Sequence, residues 1–224
     1  MLPALIALVV VGMVVLGPAV AAPEGPSLEE VVAGLEAKYA AVADLRAEFT
    51  QQAFNKSLGQ TITAEGVVSL KKPGKMRWEF KSPTPQQIVS DGKSLWMYTP
   101  ELNQVNVTEA PQALAGPAGS FLAGLGRLRE EFFVRFLNPA APLDEAGRLV
   151  LDLTPKAPTP VLARLILSVD PKERLGRKAV LYDQFGNTVT MSFTKVAVNP
   201  GLADRLFTFI PPKGAAVVPL ELPR

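Results

Sequence analysis

A strict alternation of apolar and polar side chains constrains the fold of this chain more than any other feature of its sequence. Met76, Trp78 and Phe80 are separated by single charged residues, and Val68 and Leu70 show the same spacing a few residues earlier. In an extended strand, side chains two positions apart lie on the same face of the sheet. The alternation therefore predicts antiparallel strands with one apolar face and one polar face.

Short turn motifs connect these strands to further ones. Pro73-Gly74 predicts the first turn, and Asp91-Gly92 is a strong hairpin signal. In the strand that follows this hairpin, Trp96 and Tyr98 share one face, and another strand is predicted over 103–108. Repeated short strands that are joined by tight turns predict an antiparallel meander.

The N-terminal part of the mature sequence has a helical period instead. Ser27 and Glu30 form a capping-box motif, in which each side chain can bond the backbone N–H of the other residue. Apolar residues then recur at helical spacing: Leu28, Val31, Val32, Leu35, Tyr39, Val42, Leu45 and Phe49. The pattern predicts an amphipathic helix over 27–46 that lies on an apolar surface, for which a sheet face is the obvious candidate.

The rest of the chain returns to strand patterns after one interruption. Strands are predicted over 132–137, 149–154, 164–169, 179–182, 188–198 and 207–209. Residues 110–129 are rich in Ala, Gly and Leu, and predict short helices that form either a mobile lid or an ordinary helical crossover. The prediction is an α+β fold of about eleven strands, in which one long helix covers a wrapped sheet.

The first 22 residues carry no charged side chain. The apolar run from Leu5 to Leu16 is followed by Ala19 and Ala21, which form an A-x-A cleavage site. We expect residues 1–21 to be a signal peptide and 22–224 to be a single domain; the alternative is an uncleaved membrane anchor. The chain has no cysteine, so it cannot itself be acylated as a lipoprotein. We expect a soluble, monomeric protein in the periplasm.

The chain also has no histidine, which removes most catalytic designs. Without His and Cys, neither the common nucleophile triads nor imidazole and thiolate metal sites can form. Ser69 and Lys72 fit an S-x-x-K pattern, but an offset of three residues in a strand puts the two side chains on opposite faces. With a net charge of +2 and no basic stretch, no nucleic acid is expected. We predict no enzyme activity and no cofactor.

The function is then expected to be binding, and the apolar strand face is the distinctive candidate for the binding surface. From patterning alone this face is either ordinary core under the helix or the wall of a binding site. The predicted lining residues are Val68, Leu70, Met76, Trp78, Phe80, Trp96, Tyr98, Phe121 and Leu122.

Several motifs together resemble a known family. They are Phe49-Thr50-Gln51, the stretch 72–79 (KPGKMRWE), the stretch 89–98 (VSDGKSLWMY) and the closing 207–214 (FTFIPPKG). In this order and spacing they look like the periplasmic outer-membrane lipoprotein carrier protein family, LolA. The absence of cysteine separates the chain from the related receptor family LolB, whose members are lipoproteins.

The resemblance implies a fold and a cargo. The family fold is an unclosed antiparallel β half-barrel with a helical lid over an apolar cavity. The implied cargo is the acyl chains of lipoproteins that a LolCDE-type ABC transporter releases from the inner membrane. The implied acceptor is a LolB-type protein of the outer membrane. A carrier of another lipid, such as a glycolipid, and an envelope sensor or scaffold domain of the same shape remain as alternatives.

The sequence departs from the family at two positions. Where the family has an arginine that bonds carbonyls of the closed lid, this chain has Lys72. An ammonium lacks the planar fork of a guanidinium, so the expected lid latch is weaker or differently formed. Met76 replaces a family aromatic residue two positions before Trp78.

Overall fold

One antiparallel sheet dominates the computed structural model, which describes residues 25–113, 128–157 and 160–220. Its twelve strands within these ranges are β1 Asp44–Asn55, β2 Gln60–Lys71, β3 Lys75–Ser82, β4 Gln86–Asp91, β5 Ser94–Thr99, β6 Gln104–Glu109, β7 Phe132–Phe136, β8 Leu149–Pro155, β9 Arg164–Asp170, β10 Leu175–Tyr182, β11 Thr188–Val198 and β12 Ala216–Pro219. The order across the sheet is β12-β6-β5-β4-β3-β2-β1-β11-β10-β9-β8-β7. Because β12 and β7 are the two ends of this order, the sheet is not closed into a barrel, and the predicted unclosed antiparallel sheet is confirmed. The helical lid over a cavity stays a prediction.

The few helices of the described residues adjoin this sheet. Helix α1 spans Leu28–Ala41, and one-turn helices occupy Ala110–Ala113 and Leu128–Glu131. Two 3₁₀ turns lie at Pro100–Leu102 and Asp204–Phe207. Among the described residues, no helix combines the length and the apolar composition that crossing a bilayer requires.

The predicted start of α1 is confirmed and its predicted end is wrong. The Ser27 hydroxyl accepts from the Glu30 N–H at 3.3 Å, and the Ser27 N–H donates to the Glu30 carboxylate at 2.9 Å. The helix ends at Ala41 rather than at residue 46, and Leu45 and Phe49 belong to β1. Residues 45, 47 and 49 also alternate as a strand does, and pairing with two neighbouring strands decides between the two periods.

The inner face of the sheet carries α1. Val31, Val32 and Leu35 of the helix are buried in one core cluster with side chains from strands on both sides of β1. The buried Tyr39 hydroxyl accepts a hydrogen bond from the Gly176 N–H of β10 at 3.2 Å, which fixes the helix to that half of the sheet. Burial raises the pKa of the Tyr39 phenol, and the bond from Gly176 opposes that rise in part.

Residues 114–127, which make up most of the segment 110–129 predicted to be a lid or a crossover, lie outside the described residues, and Phe121 and Leu122 are among them. The residues on either side of this segment are described. Ala110 and Leu128 are each 1% exposed and belong to the core cluster of the inner face. Both flanking positions are therefore buried at this face.

Part of the outer face is covered by a segment near the C-terminus. The buried Asp44 carboxylate accepts from the N–H groups of Gly201 and Leu202 at 3.1 Å each, which fixes the start of the segment. Phe207, 1% exposed, ends the 3₁₀ turn that packs on β3 and β4. The strand predicted over 207–209 is therefore wrong, because this segment crosses the sheet instead of extending an edge.

Beyond that segment the chain adds an edge strand that the sequence pattern did not predict. Strand β12 pairs with β6 in parallel, from Ala216 beside Gln104 to Pro219 beside Val107. Proline at the end of an edge strand is tolerated because its missing N–H breaks no ladder on the solvent side. The described ranges therefore hold twelve strands, where about eleven were predicted.

An ion-pair cluster ties the C-terminal segment to the sheet. The Asp204 carboxylate lies 2.6 Å from the Lys71 ammonium and 2.8 Å from that of Lys75. Hydrogen bonds from Lys71 and then Lys75 lower the pKa of Asp204 from 3.8 to about 2. A carboxyl whose pKa is lowered by folding stabilises the folded state above its ordinary pKa, and this contribution is lost as the pH falls through about 2.

We expect Asp204→Asn to lower the free energy of unfolding at neutral pH, and the difference from the native protein to shrink below pH 3.8 and to be lost as the pH falls through about 2. Urea unfolding at a series of pH values measures this difference. Glu145→Gln, at an exposed loop position, is the matched control. A constant difference across the acid range would mean that the carboxylate charge has no part in holding the segment.

Candidate lipid-binding face

Four aromatic rings meet on the inner face where β1, β3 and β11 approach one another. The ring centroid of Phe49 lies 5.0 Å from that of Trp78 and 5.1 Å from that of Phe80, both edge-on. Phe193 of β11 lies 6.4 Å from Trp78, also edge-on. Edge-to-face pairs at these distances stabilise an aromatic cluster beyond the area that they bury. We refer to these four residues as the aromatic cluster.

Gly66 makes room for this cluster. It lies opposite Phe49 in β1 and opposite Phe80 in β3. A Cβ at Gly66 would lie 2.1 Å from the carbonyl oxygen of Glu79 and 2.7 Å from the Phe49 ring. Because no real side chain tolerates such contacts, only glycine lets the Phe49 ring lie across β2 at this point.

The inner face is apolar well beyond its buried centre. Side chains around the core cluster are only partly buried, although they are hydrophobic. They are Leu28, Leu70, Phe80, Ile88, Met97, Val134, Phe136, Leu181, Val189, Phe193, Val196 and Val198. A face whose apolar residues keep part of their surface in solvent can gain free energy by burying that surface against an apolar ligand.

One polar group lies unpaired within this apolar region. Trp78 is 4% exposed, and no acceptor among the described residues bonds its indole Nε1–H. A buried donor without an acceptor costs about 1–3 kcal/mol. The site therefore favours a ligand that brings a hydrogen-bond acceptor to the indole.

The structure brings together five of the predicted lining residues. Val68, Met76 and Trp78 are buried, while Leu70 and Phe80 are half-buried, and all five belong to the inner-face cluster. The strand register explains this grouping, since Val68 lies opposite Trp78 and Leu70 lies opposite Met76.

Trp96 and Tyr98 lie on the opposite face of the sheet. Trp96 is paired with Val89, which in turn is paired with Arg77, so Trp96 faces away from Trp78. Both rings lie 6.0 Å from the ring of Phe209 in the C-terminal segment. They do not share a space with the other predicted lining residues. Phe121 and Leu122 lie outside the described residues, and their role in the lining stays a prediction.

Sequence reasoning missed two members of the aromatic cluster. Phe49 was assigned to the helical stripe, and Phe193 stood in a predicted strand without any assigned role. The period-two spacing of Met191 and Phe193, and of Ala47 and Phe49, was the signal that could have found them. Ile88 and Met97 were also missed; they lie in the same cross-strand row as Trp78.

Lys72 bonds the C-terminal end of α1. Its ammonium donates to the carbonyl oxygen of Tyr39 and, at 3.2 Å, to that of Ala40. A cation at this end satisfies carbonyls without helical partners and complements the negative end of the helix dipole. Leu70, Lys72 and Met76 also line a narrow cleft beside this helix end. The lid-latch role concerns residues 114–127, outside the described ranges, and stays a prediction.

The candidate Ser-Lys pair is not assembled. Ser69 is 1% exposed on the outer face, whereas the Lys72 ammonium is bonded to helix carbonyls. In the part of the chain that the structure describes, no three acidic side chains are grouped so that they could hold a metal ion.

Comparison with known proteins assigns the chain to a family. Residues 40–210 match the family model described as outer membrane lipoprotein carrier protein LolA. The chain belongs to the LolA family. A relative from Dechloromonas aromatica, named outer-membrane lipoprotein carrier protein, is 34% identical over 78% of this chain and 80% of its own length. One of the same name from Legionella pneumophila is 33% identical over 82% and 87%.

The fold also has a solved counterpart. The crystal structure of a conserved protein from Thermus thermophilus matches with a TM-score of 0.55, at 16% sequence identity. The match covers 86% of this LolA-family chain and 98% of the Thermus chain. At this level of identity the likeness supports the fold alone.

We expect Lys72→Met to lower the free energy of unfolding by about 1 kcal/mol, because the helix end loses its charged donor while the side-chain length is kept. Chemical denaturation measures the change. Lys81→Met, at an exposed position at the end of β3, is the control and should have no effect. Equal stability of the two variants would show that the ammonium contributes nothing to the helix end.

Proposed function

We propose that this protein carries lipoproteins to the outer membrane and shields their acyl chains against the inner face of its open sheet. The observation that carries the proposal is the apolar inner face itself, with a buried aromatic cluster and a wide surround of half-exposed hydrophobic side chains. The names of the relatives in the same family support the choice of cargo.

Acyl chains need such a surface in water. Each methylene that leaves water contributes about 0.8 kcal/mol, so two or three long chains together cost tens of kcal/mol to expose. A lipoprotein therefore does not cross an aqueous space unaided. Flexible side chains such as Met76 and Met97 adapt to irregular chains, which favours capture without a rigid fit that would prevent release.

The unpaired indole of Trp78 suggests where the polar end of the cargo lies. The acyl chains of a diacylglyceryl group are joined through esters, whose carbonyl oxygens are hydrogen-bond acceptors. An ester carbonyl at the Nε1–H of Trp78 satisfies a donor that has no partner among the described residues. The chains then extend along the apolar rows on either side.

The route of the cargo follows from the proposed role. Residues 1–21 act as a signal peptide that is removed on export, and the remaining domain works as a monomer in the periplasm. An inner-membrane LolCDE-type transporter supplies the lipoprotein, and a LolB-type acceptor receives it where one exists. The protein catalyses no reaction and needs no cofactor. The driving force for delivery is an acceptor surface that binds the acyl chains more tightly.

We expect Phe80→Ser to weaken binding of a fluorescently labelled triacyl lipopeptide about tenfold, since burying a phenyl side chain contributes about 1.5–3 kcal/mol. Tyr98→Ser removes a half-buried ring from the opposite face and should leave the dissociation constant unchanged. Fluorescence anisotropy measures both constants. If both variants bind as the native protein does, or if Tyr98→Ser alone weakens binding, the acyl chains do not lie on the inner face.

We expect Trp78→Phe to weaken binding of the ester-linked lipopeptide about fivefold, because a neutral hydrogen bond contributes about 1 kcal/mol. An ether-linked analogue lacks the ester carbonyl oxygens. It controls for the lost ring area and should lose less affinity. Titrating both ligands into both proteins gives four dissociation constants. The loss of affinity for the ester-linked ligand minus the loss for the ether-linked ligand measures the hydrogen bond. An equal loss for the two ligands would reduce Trp78 to an apolar contact.

A further inference from the structure

Five large apolar side chains are exposed in three loops and the adjoining strand ends at one end of the sheet. Leu58 is 67% exposed, Ile62 61% and Phe54 37% in the β1–β2 hairpin, while Phe185 is 71% exposed in the β10–β11 turn and Val161 67% in the β8–β9 loop. We call these five residues the loop rim. A group of exposed hydrophobic residues on a folded protein marks a surface that contacts a partner or a membrane.

The three loops adjoin one another at this end of the sheet, where Ile62 lies on the inner face and Phe54 on the outer face. The Lys56 N–H of the hairpin donates to the Asn187 side-chain oxygen of the β10–β11 turn at 2.9 Å. The Gln184 N–H of that turn donates to the Pro160 carbonyl of the β8–β9 loop at 3.3 Å. A Cβ at Gly186 would lie 2.7 Å from the Lys56 side chain, which places the hairpin directly against the turn.

The hairpin projects beyond its neighbour. Strand β2 is paired with β1 down to Gln60, but its pairing with β3 stops at Glu65, opposite Ser82. Residues 60–64 therefore extend past the end of β3, with Ile62 among them. Projecting turns that carry Leu58 and Phe185 are convex, and a fluid lipid surface accepts convex apolar tips without a preformed pocket.

The rim loops carry two opposite charges, and the cation lies in the β1–β2 hairpin. Across residues 54–62, 160–163 and 183–187 the charged side chains are Lys56 and Asp183. The half-buried Asp183 carboxylate accepts from the Phe185 and Asn187 N–H groups at 2.9 Å and 2.8 Å, so its negative charge is held within its own turn. Lys56 is exposed and adds attraction to anionic headgroups beside the apolar tips.

The loop rim also continues into the inner face. Ile62 lies opposite Ala53, and Ala53 lies opposite Val189 of β11. From Val189, the side chains of Met191 and Phe193 continue along the same strand face to the aromatic cluster. An acyl chain that leaves a bilayer at the rim thus meets an apolar row that leads to the candidate site.

We propose that the loop rim is a membrane-contact surface, which inserts its apolar tips into the headgroup region of an anionic phospholipid bilayer. The benefit for cargo transfer rests on the proposed carrier function, whereas the contact itself does not. Contact at the rim brings the open end of the inner face to the lipid surface, so that acyl chains cross a short aqueous distance during loading or delivery.

The test is flotation of the purified, cargo-free protein with vesicles of phosphatidylethanolamine and phosphatidylglycerol. We expect the double variant Leu58→Ser/Phe185→Ser to reduce the vesicle-bound fraction at least about fivefold, because two apolar tips no longer insert. The matched control is Leu137→Ser/Leu143→Ser, which removes two leucines, 46% and 53% exposed, at the opposite end of the sheet. The control should float as the native protein does.

Vesicles of phosphatidylcholine alone should bind the native protein more weakly, and Lys56→Gln should reduce the difference between the two vesicle types. The inference is overturned if the native protein does not float with anionic vesicles, or if the rim and control variants float equally. It is also overturned if the rim variant floats normally but loses contact with a partner protein, since the rim is then a protein interface.

The same variants separate this inference from the proposed function. In solution the rim variant should keep the lipopeptide affinity of the native protein, because its substitutions lie outside the aromatic cluster. If no form of the protein binds lipopeptide, the carrier function fails while the vesicle result still decides the inference. If lipopeptide binds but rim and control variants float alike, only the membrane contact fails.

Discussion

The pairing of β1 with both of its neighbours is the constraint on which the rest of the structure depends. β1 is paired with β2 over all twelve of its residues and with β11 over most of its length, so it joins the two halves of the sheet. It follows α1 directly and thereby sets where the helix lies. The aromatic cluster draws its rings from β1, β3 and β11, and these rings meet only because β1 holds the two halves together.

The two faces of the sheet are closed by different parts of the chain. Part of the outer face is covered by the C-terminal segment, where Phe207 packs on β3 and β4 and Asp204 bonds two lysines. The inner face carries α1, held by Tyr39 and by Lys72 at its end, and it keeps a surround of half-exposed apolar side chains. Because the C-terminal segment packs on the outer face at β3 and β4 and adds stability there, part of the inner face can remain for a ligand.

This division fits a protein that must bind apolar cargo and release it again. The buried aromatic cluster gives the inner face a fixed floor, while the half-exposed residues around it gain free energy only when a ligand covers them. Methionines beside these rings adapt to chains of different shape. The loop rim lies where this apolar surface reaches the end of the sheet, so the geometry links the proposed binding face to the proposed membrane contact.

The local pattern of the sequence alone determined the start of the helix, the apolar strand face and the kinds of catalytic site that are excluded. The capping box set the start of α1, the alternation at Met76, Trp78 and Phe80 set the inner face of β3, and the missing His and Cys removed most catalytic designs. Only the tertiary structure decided the end of α1, the position of Trp96 and Tyr98 on the outer face, and the contact of Lys72 with the helix. The physical reason is that spacing gives a side chain its face within one strand, whereas register and crossing segments decide what lies opposite that face.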